Sequence, residues 1–319
     1  MHIDSARELK ASLCRQAADC LGPETARATF LGVSVLGPGR YGVAVRYHDP
    51  AAAALAKRAM DLAGPEVDAR EVGVVHHLAA LPQMGAGEWD PGQLRQRARP
   101  LRPGVSIGHK DATAGTLAGF VRLANADGLF ALSNSHVLTN GGRGRDGDPV
   151  LQPGPLDGGT TGDEVARLSR ALRPARRARN QVDAAVALLS PSVTGAVSLD
   201  YPSGRLRGTA AVDHDVEVEK VGRTTGLTRG RVTAIELDDV DVEYWDGPAT
   251  FDDQLEVGGP TGPFSLGGDS GALVYRPDTM EAVGLLFAGS ERGGVDGSPL
   301  AYCTPIAVVL DRLGATLET

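Results

Sequence analysis

At 319 residues the chain exceeds the usual single hydrophobic core, so two domains or one large double domain are expected. A net charge of -8 argues against a nucleic-acid partner, because phosphate binding needs a basic surface. Three cysteines cannot all pair, which argues against a disulfide framework or a zinc site; 4% aromatic residues with 42 glycines and 20 prolines call for a Val, Leu and Ala core cut by many turns, as in β-rich proteins.

In chain order, Ser5 to Cys20 reads as a helix that stops at Leu21-Gly22-Pro23. Acidic residues and no long apolar core in this stretch argue against a signal peptide or a membrane span, so a cytoplasmic protein without a membrane partner is expected. Phe30–Leu36 and Tyr41–Tyr47 are strand-like and flank the hairpin signal Gly37-Pro38-Gly39-Arg40. Asp49-Pro50 fits the cap and first position of a helix through Ala51–Leu62, and Val67–Val75 reads as a third strand. Residues 1–80 are therefore expected to form a small α+β N-terminal domain. It carries no chemistry of its own, which leaves a regulatory, substrate-recruiting or self-association role, the last giving a homo-oligomer, beside that of a structural buttress. Residues 81–103 contain Pro82, Gly85, Gly87, Pro91, Gly92 and Pro100 without a sustained period, as in a linker or a strap.

From Gly104 the pattern changes to short strands between turns. Val105–Ile107, Thr116–Leu123, Leu129–Leu132, Val150–Gln152, Val182–Leu189 and Gly208–Ala211 would make one barrel. Val216–Val221, Gly230–Leu237, Val240–Tyr244, Leu273–Tyr275 and Val283–Phe287 would make a second, so residues 104–319 are expected to be mostly β, a double antiparallel β-barrel. The arginines between Arg95 and Arg102 and between Arg170 and Arg179 read as solvated loops. The acidic run Asp238–Asp253 lacks the spacing and glycine of a calcium loop; Val240, Val242 and Tyr244 alternate there with acids, as on an exposed edge strand.

Three local settings carry chemistry. Ser270 lies in Gly267-Gly268-Asp269-Ser270-Gly271, just ahead of the strand-like Ala272-Leu273-Val274-Tyr275, and the glycines allow the Gly268 and Ser270 amides to converge as an oxyanion hole. A serine needs a base, and of seven histidines His136 stands out, in Leu132-Ser133-Asn134-Ser135-His136-Val137-Leu138 after an apolar strand. Asp183 heads the apolar run to Leu189, where a buried carboxylate needs a partner such as an imidazole N–H. Alone, each has a bland alternative as a turn, a satisfied histidine or an exposed strand end.

The order His136, Asp183, Ser270 resembles that of the chymotrypsin/trypsin-like serine peptidases, and other unrelated folds use other orders. Gly284–Ser290 resembles the strand of that family that binds the substrate backbone, Pro299–Tyr302 the pocket wall, and Ile306–Leu317 the closing helix. Arg102–Gly108, Leu132–Leu138 and Val221–Thr228 are similar to stretches of bacterial trypsin-like peptidases related to the plant narrow-leaf proteins. The resemblance covers residues 104–319 and implies an intracellular serine endopeptidase acting on proteins or peptides, with no metal or organic cofactor. Its pocket would be lined by Phe264, Ser265, Phe287, Gly289 and Leu300, and with Phe264 at the floor it would take small or medium apolar residues. A catalytically weak peptide-binding scaffold and an esterase remain as alternatives. Two features depart from the family: Ala272 replaces a glycine after Ser270, and no Ile-Val-Gly-Gly start precedes the domain. Activation by cleavage ahead of Val105 is therefore not expected, and Asp269 should find its partner within the catalytic domain.

Overall fold

Short apolar runs cut by glycine and proline fold here into sheet. The computed structural model describes residues 1–26, 28–49, 52–77, 89–213 and 215–319. Its N-terminal elements are α1 (Ile3–Ala26), β1 (Thr29–Gly37), β2 (Arg40–Tyr47), α2 (Ala53–Ala63), β3 (Val67–Glu71) and β4 (Val75–His77). α1 runs past the expected stop, and the strand expected over Val67–Val75 breaks at Gly73, whose φ of +66° turns the chain. Pro50 and Ala51 of the expected helix start, and residues 78–88 of the expected domain end and strap, lie outside the described residues.

Beyond residue 89 come α3 (Pro91–Leu94), β5 (Ser106–His109), β6 (Gly115–Thr116), β7 (Gly119–Leu123), β8 (Ala126–Ser133), α4 (Ser135–Leu138), β9 (Pro149–Leu151), β10 (Glu164–Leu172), β11 (Arg179–Asn180) and β12 (Ala184–Leu189). Then follow α5 (Pro191–Thr194), the short β13 (Asp200–Tyr201), β14 (Gly204–Arg205) and β15 (Gly208–Thr209), and the longer β16 (Glu217–Gly222) and β17 (Gly226–Asp238). The last elements are β18 (Val240–Tyr244), β19 (Gly247–Phe251), β20 (Gln254–Gly258), β21 (Leu273–Arg276), β22 (Glu281–Gly293), β23 (Pro299–Pro305), α6 (Ile306–Leu313) and β24 (Ala315–Leu317).

The first sheet, in the order β24-β7-β8-β12-β10-β9-β5-β6, curls into a half-barrel. In the second, β16, β17, β20, β23, β22 and β21 pair antiparallel in a ring that closes where β21 returns to β16. This is the expected mostly β, double antiparallel β-barrel. One strand changes sides. Gly208–Ala211, expected in the first barrel, belongs to the second, because the Arg207 and Ala210 N–H groups donate to the Met280 and Ala282 carbonyls and β15 pairs with β22.

The N-terminal strands extend the second sheet. β1 pairs with β17, placing Ser34 opposite Ala234, and Arg46 of β2 reaches through to Glu256 of β20 with two contacts of 2.8 Å. Both charges are fully buried, and Asp68 at 2.8 Å completes the cluster. β4 crosses to another part of the sheet and lies between β22 and β18. The described part of the expected strap lies on the first barrel: Leu94 and Leu101 enter its core, and Gln152 Oε1 accepts from the Ala98 N–H at 2.9 Å. Among the described residues no helix is long and apolar enough to cross a membrane.

Candidate active site

β8 and β12 are hydrogen-bonded neighbours, with Ser133 opposite Ala185, so the residues just past one strand and just before the other meet. His136 stands in α4 after β8, and Asp183 stands directly ahead of β12. Asp183 Oδ2 accepts from His136 Nδ1 at 2.6 Å, and its Oδ1 accepts from the His136 backbone N–H at 3.1 Å. Asn134 Nδ2 donates to the Asp183 carbonyl at 2.7 Å, tying the two loops together again. With Nδ1–H directed at the carboxylate, Nε2 is left as the basic nitrogen; it is buried and has no hydrogen-bond partner in this structure.

A third donor reaches Asp183. Tyr244 OH lies 2.8 Å from Oδ2, at the end of β18. Burial alone would push the Asp183 carboxyl up, but His136 and Tyr244 outweigh it and hold the carboxyl below its ordinary range. Burial, reinforced by Asp183, pushes the Tyr244 phenol well above its own. The acids of this strand do face outward, yet Val240, Val242 and Tyr244 point into a core. The expected exposed edge thus has a buried inner face, and that face carries Tyr244, a partner of Asp183 that the sequence reading does not single out. The signal was the period-2 apolar run itself.

Ser270 belongs to a turn fastened to the first barrel. Thr116 N–H donates to the Ser270 carbonyl at 2.8 Å, and Thr116 Oγ1–H to the Gly268 carbonyl at 2.9 Å. Gly268 has φ +98° and Gly271 φ +93°, and a side chain on Gly271 would collide with Ser133 Oγ and the Thr116 carbonyl. Gly115 lies between Val137 and the Ser270 carbonyl, so the histidine loop and the serine turn meet over one glycine. Ser270 Oγ–H points to the Phe287 carbonyl of β22 at 3.2 Å.

Asp269 is fully paired within the chain, as expected. Its Oδ1 accepts from the Thr224 and Thr225 N–H groups at 2.9 and 3.2 Å, and its Oδ2 from Thr225 Oγ1 at 2.7 Å and Leu266 N at 3.0 Å. Lys220 Nζ is 3.3 Å from Oδ2, and both side chains are fully buried. Burial pulls the Lys220 ammonium below its ordinary range, against the pull of Asp269.

The expected pocket residues are scattered over two cores. Phe264 lies with Val218, Val232 and Val257 inside the second barrel, its ring 5.7 Å from Lys220 Nζ. Phe287 and Leu300 pack with Phe251 and Tyr302. Ser265 is buried with a hydroxyl that has no partner, and Gly289 lies in β22 opposite Ala301. An open cavity of about 330 Å³ beside His136 is lined instead by His77, Ala114, Asn140, Arg143 and Trp245. Two arginines of the second basic stretch pair with the acidic run: Arg176 meets Asp246 at 2.6 Å, and Arg179 meets Asp239 and Asp252 at 2.5 Å each.

His77 stacks on Tyr244 with ring centroids 5.1 Å apart and an angle of 1°, and lies 5.4 Å from the His136 ring. Burial, then the neighbouring His136, push its imidazole below the ordinary range.

No protein-family model and no curated protein matches the sequence. Among solved structures the chain is similar to Thermobifida fusca protease A, with 18% identity and a TM-score of 0.48 over 69% of this chain and 98% of that one. Nocardiopsis protease gives 17% and 0.48 over 69% and 99%, and Cellulomonas bogoriensis chymotrypsin 19% and 0.46 over 69% and 98%. The barrel assignment stands on the strand pairing itself.

Proposed function

We propose that this chain is a chymotrypsin-like serine endopeptidase whose triad is Ser270, His136 and Asp183. The observation that carries the reading is the twofold grip of Asp183 on His136, which leaves Nε2 as a buried base at the junction where the Ser270 turn is fastened. In the reaction Ser270 Oγ attacks the substrate carbonyl carbon while His136 Nε2 takes its proton. The imidazolium then returns that proton to the leaving amine, and water cleaves the acyl-enzyme by the same route. Asp183 holds the tautomer and faces the imidazolium charge, with Tyr244 holding Asp183. The Gly268 and Ser270 amides are assigned to the oxyanion, a contribution of about 2.7–4 kcal/mol per donor in such sites. The five-donor setting of Asp269 supports activity without prior chain cleavage. Position 264, the pocket floor by resemblance, is a phenylalanine that offers no carboxylate to a basic side chain, so small or medium apolar residues are assigned to the position before the scissile bond. Within the class we place the chain beside the bacterial and plant narrow-leaf-related group, on the stretches around His136 and Val221–Thr228.

Fluorophosphonate labelling tests this reading. The label is expected on Ser270 of the uncut chain and to be lost in Ser270→Ala, and a peptide library is expected to be cut after apolar residues. Equal labelling of Ser270→Ala would overturn the triad, and cleavage dominated by Arg or Lys would overturn the pocket.

A further inference from the structure

β22 has β23 on one edge and β4 on the other. The β4 pairing is antiparallel, with Val75 opposite Ser290, His76 opposite Gly289 and His77 opposite Ala288. Each step from Val75 to His77 therefore moves toward Phe287, the residue whose carbonyl holds the Ser270 hydroxyl. The far edge of β4 meets β18 in parallel, His76 opposite Glu243, and His77 Nδ1–H donates to the Glu243 carbonyl at 2.9 Å. Three residues of the N-terminal unit thus fill a slot with hydrogen-bonding strands on both sides. Two of their side chains pack in it: Val75 enters the core that contains Phe287, and the His77 ring is laid flat on Tyr244 beside His136.

β22 is the strand that the resemblance assigns to the substrate backbone, and an extended peptide added to it antiparallel, advancing toward Phe287, would need the backbone groups that β4 already uses. Taking Ser270 as the nucleophile and β22 as the substrate strand, as above, we infer that Val75–His77 is a resident pseudo-substrate held between β18 and β22, which an incoming extended peptide displaces. The ligand class follows from the occupant: an extended segment with an aliphatic side chain for the Val75 position and a flat ring, histidine or aromatic, for the position stacked on Tyr244. Gly73, with φ +66°, gives the point at which β4 turns away while Val72 stays bonded to the Glu291 and Arg292 N–H groups.

The test is a binding measurement in a Ser270→Ala background, so it does not depend on catalysis. The probe is a fluorescein-labelled peptide with the sequence of residues 72–77, Val-Gly-Val-Val-His-His. His76→Pro removes a backbone N–H from a strand paired on both edges and should empty the slot. Fluorescence polarisation is expected to show at least tenfold tighter binding to the His76→Pro chain than to the chain with native β4. Val75→Ala, a milder change, should give a smaller gain in the same direction and replaces His76→Pro if circular dichroism shows that the latter does not fold. Equal or weaker binding to a folded variant would overturn the inference. Loss of fluorophosphonate labelling from the native chain would count against the nucleophile and leave this binding result to stand by itself.

Discussion

Tyr244→Phe removes one oxygen and keeps the ring that stacks on His77. What is lost is a hydrogen bond of 2.8 Å to a carboxylate that has no exposure. A hydrogen bond to a charged group contributes about 1.5–3 kcal/mol, and the carboxylate left behind is buried with two donors, both from His136. The variant should therefore lose about 1.5–3 kcal/mol in urea unfolding. Activity should fall by about tenfold, far less than the roughly 10⁴-fold that removal of a triad carboxylate produces, because His136 still grips Asp183 from its ring and its backbone. The split between kcat and KM separates positioning from simple damage. With one donor gone, Asp183 is held less firmly and orients His136 less well, so the loss should fall on kcat while KM stays within about twofold. Steady-state peptide hydrolysis on the folded variant measures both. A kcat within about twofold of the parent would refute the role given to Tyr244, whatever the stability loss.

Two further outcomes follow from buried charge. Arg46→Met should cost about 3–5 kcal/mol in denaturant unfolding, because Glu256 would stay buried without its cation; a loss under about 1 kcal/mol would mean that the cluster is not the joint described here. Because the Asp183 carboxyl is held below the unfolded-chain value near about 3.9, its stabilisation should be complete above that pH and vanish as pH falls through the lower folded value. The stability difference between the parent and Asp183→Asn, followed from pH 7 to pH 2.5, should shrink over the acidic end alone; a difference that declines between pH 7 and 5 would contradict this sign.

The parts of the site that could be read from the sequence are those where a polar residue interrupts an apolar strand. His136 and Asp183 end or head such runs, and strand pairing then brings them together. Asp269 needed a partner on physical grounds, and the stretch Val221–Thr228 singled out for its resemblance supplies Thr224 and Thr225. The missing pieces hide their periodicity. β20 carries the buried Gln254 and Glu256, and Glu256 is affordable there only because Arg46 arrives from a distant strand. β4 has three residues, too few for any period to show, and its role depends on pairing with residues more than two hundred positions away. The pocket residues were placed by resemblance alone, and such placement does not foresee that Phe287 and Leu300 would be shared with a core reached by Val72 and Val75.

The same sheet explains how the N-terminal unit can act on the cleft. Starting at Arg46, the ion pair reaches Glu256 of β20; Glu256 stands opposite Tyr302 of β23, Tyr302 opposite Ala288 of β22, and Ala288 opposite His77 of β4. One row across the sheet therefore begins and ends on residues of the N-terminal unit, which grips the second barrel from both sides. The two grips differ in kind. At Arg46 the attachment is an ion cluster whose Arg46 and Glu256 are fully buried, beside the β1–β17 pairing, and separating it would expose charges and a hydrophobic face together. At β4 the attachment is one buried valine, one stacked imidazole and a short ladder, with His76 half exposed and a glycine turn behind it. Local opening follows the weaker attachment, so β4 can leave the slot while the rest of the unit stays docked. An extended peptide that offers the same backbone groups would then replace β4 without breaking the barrel, which is the condition a cleft at a barrel junction must meet to admit a substrate and remain folded.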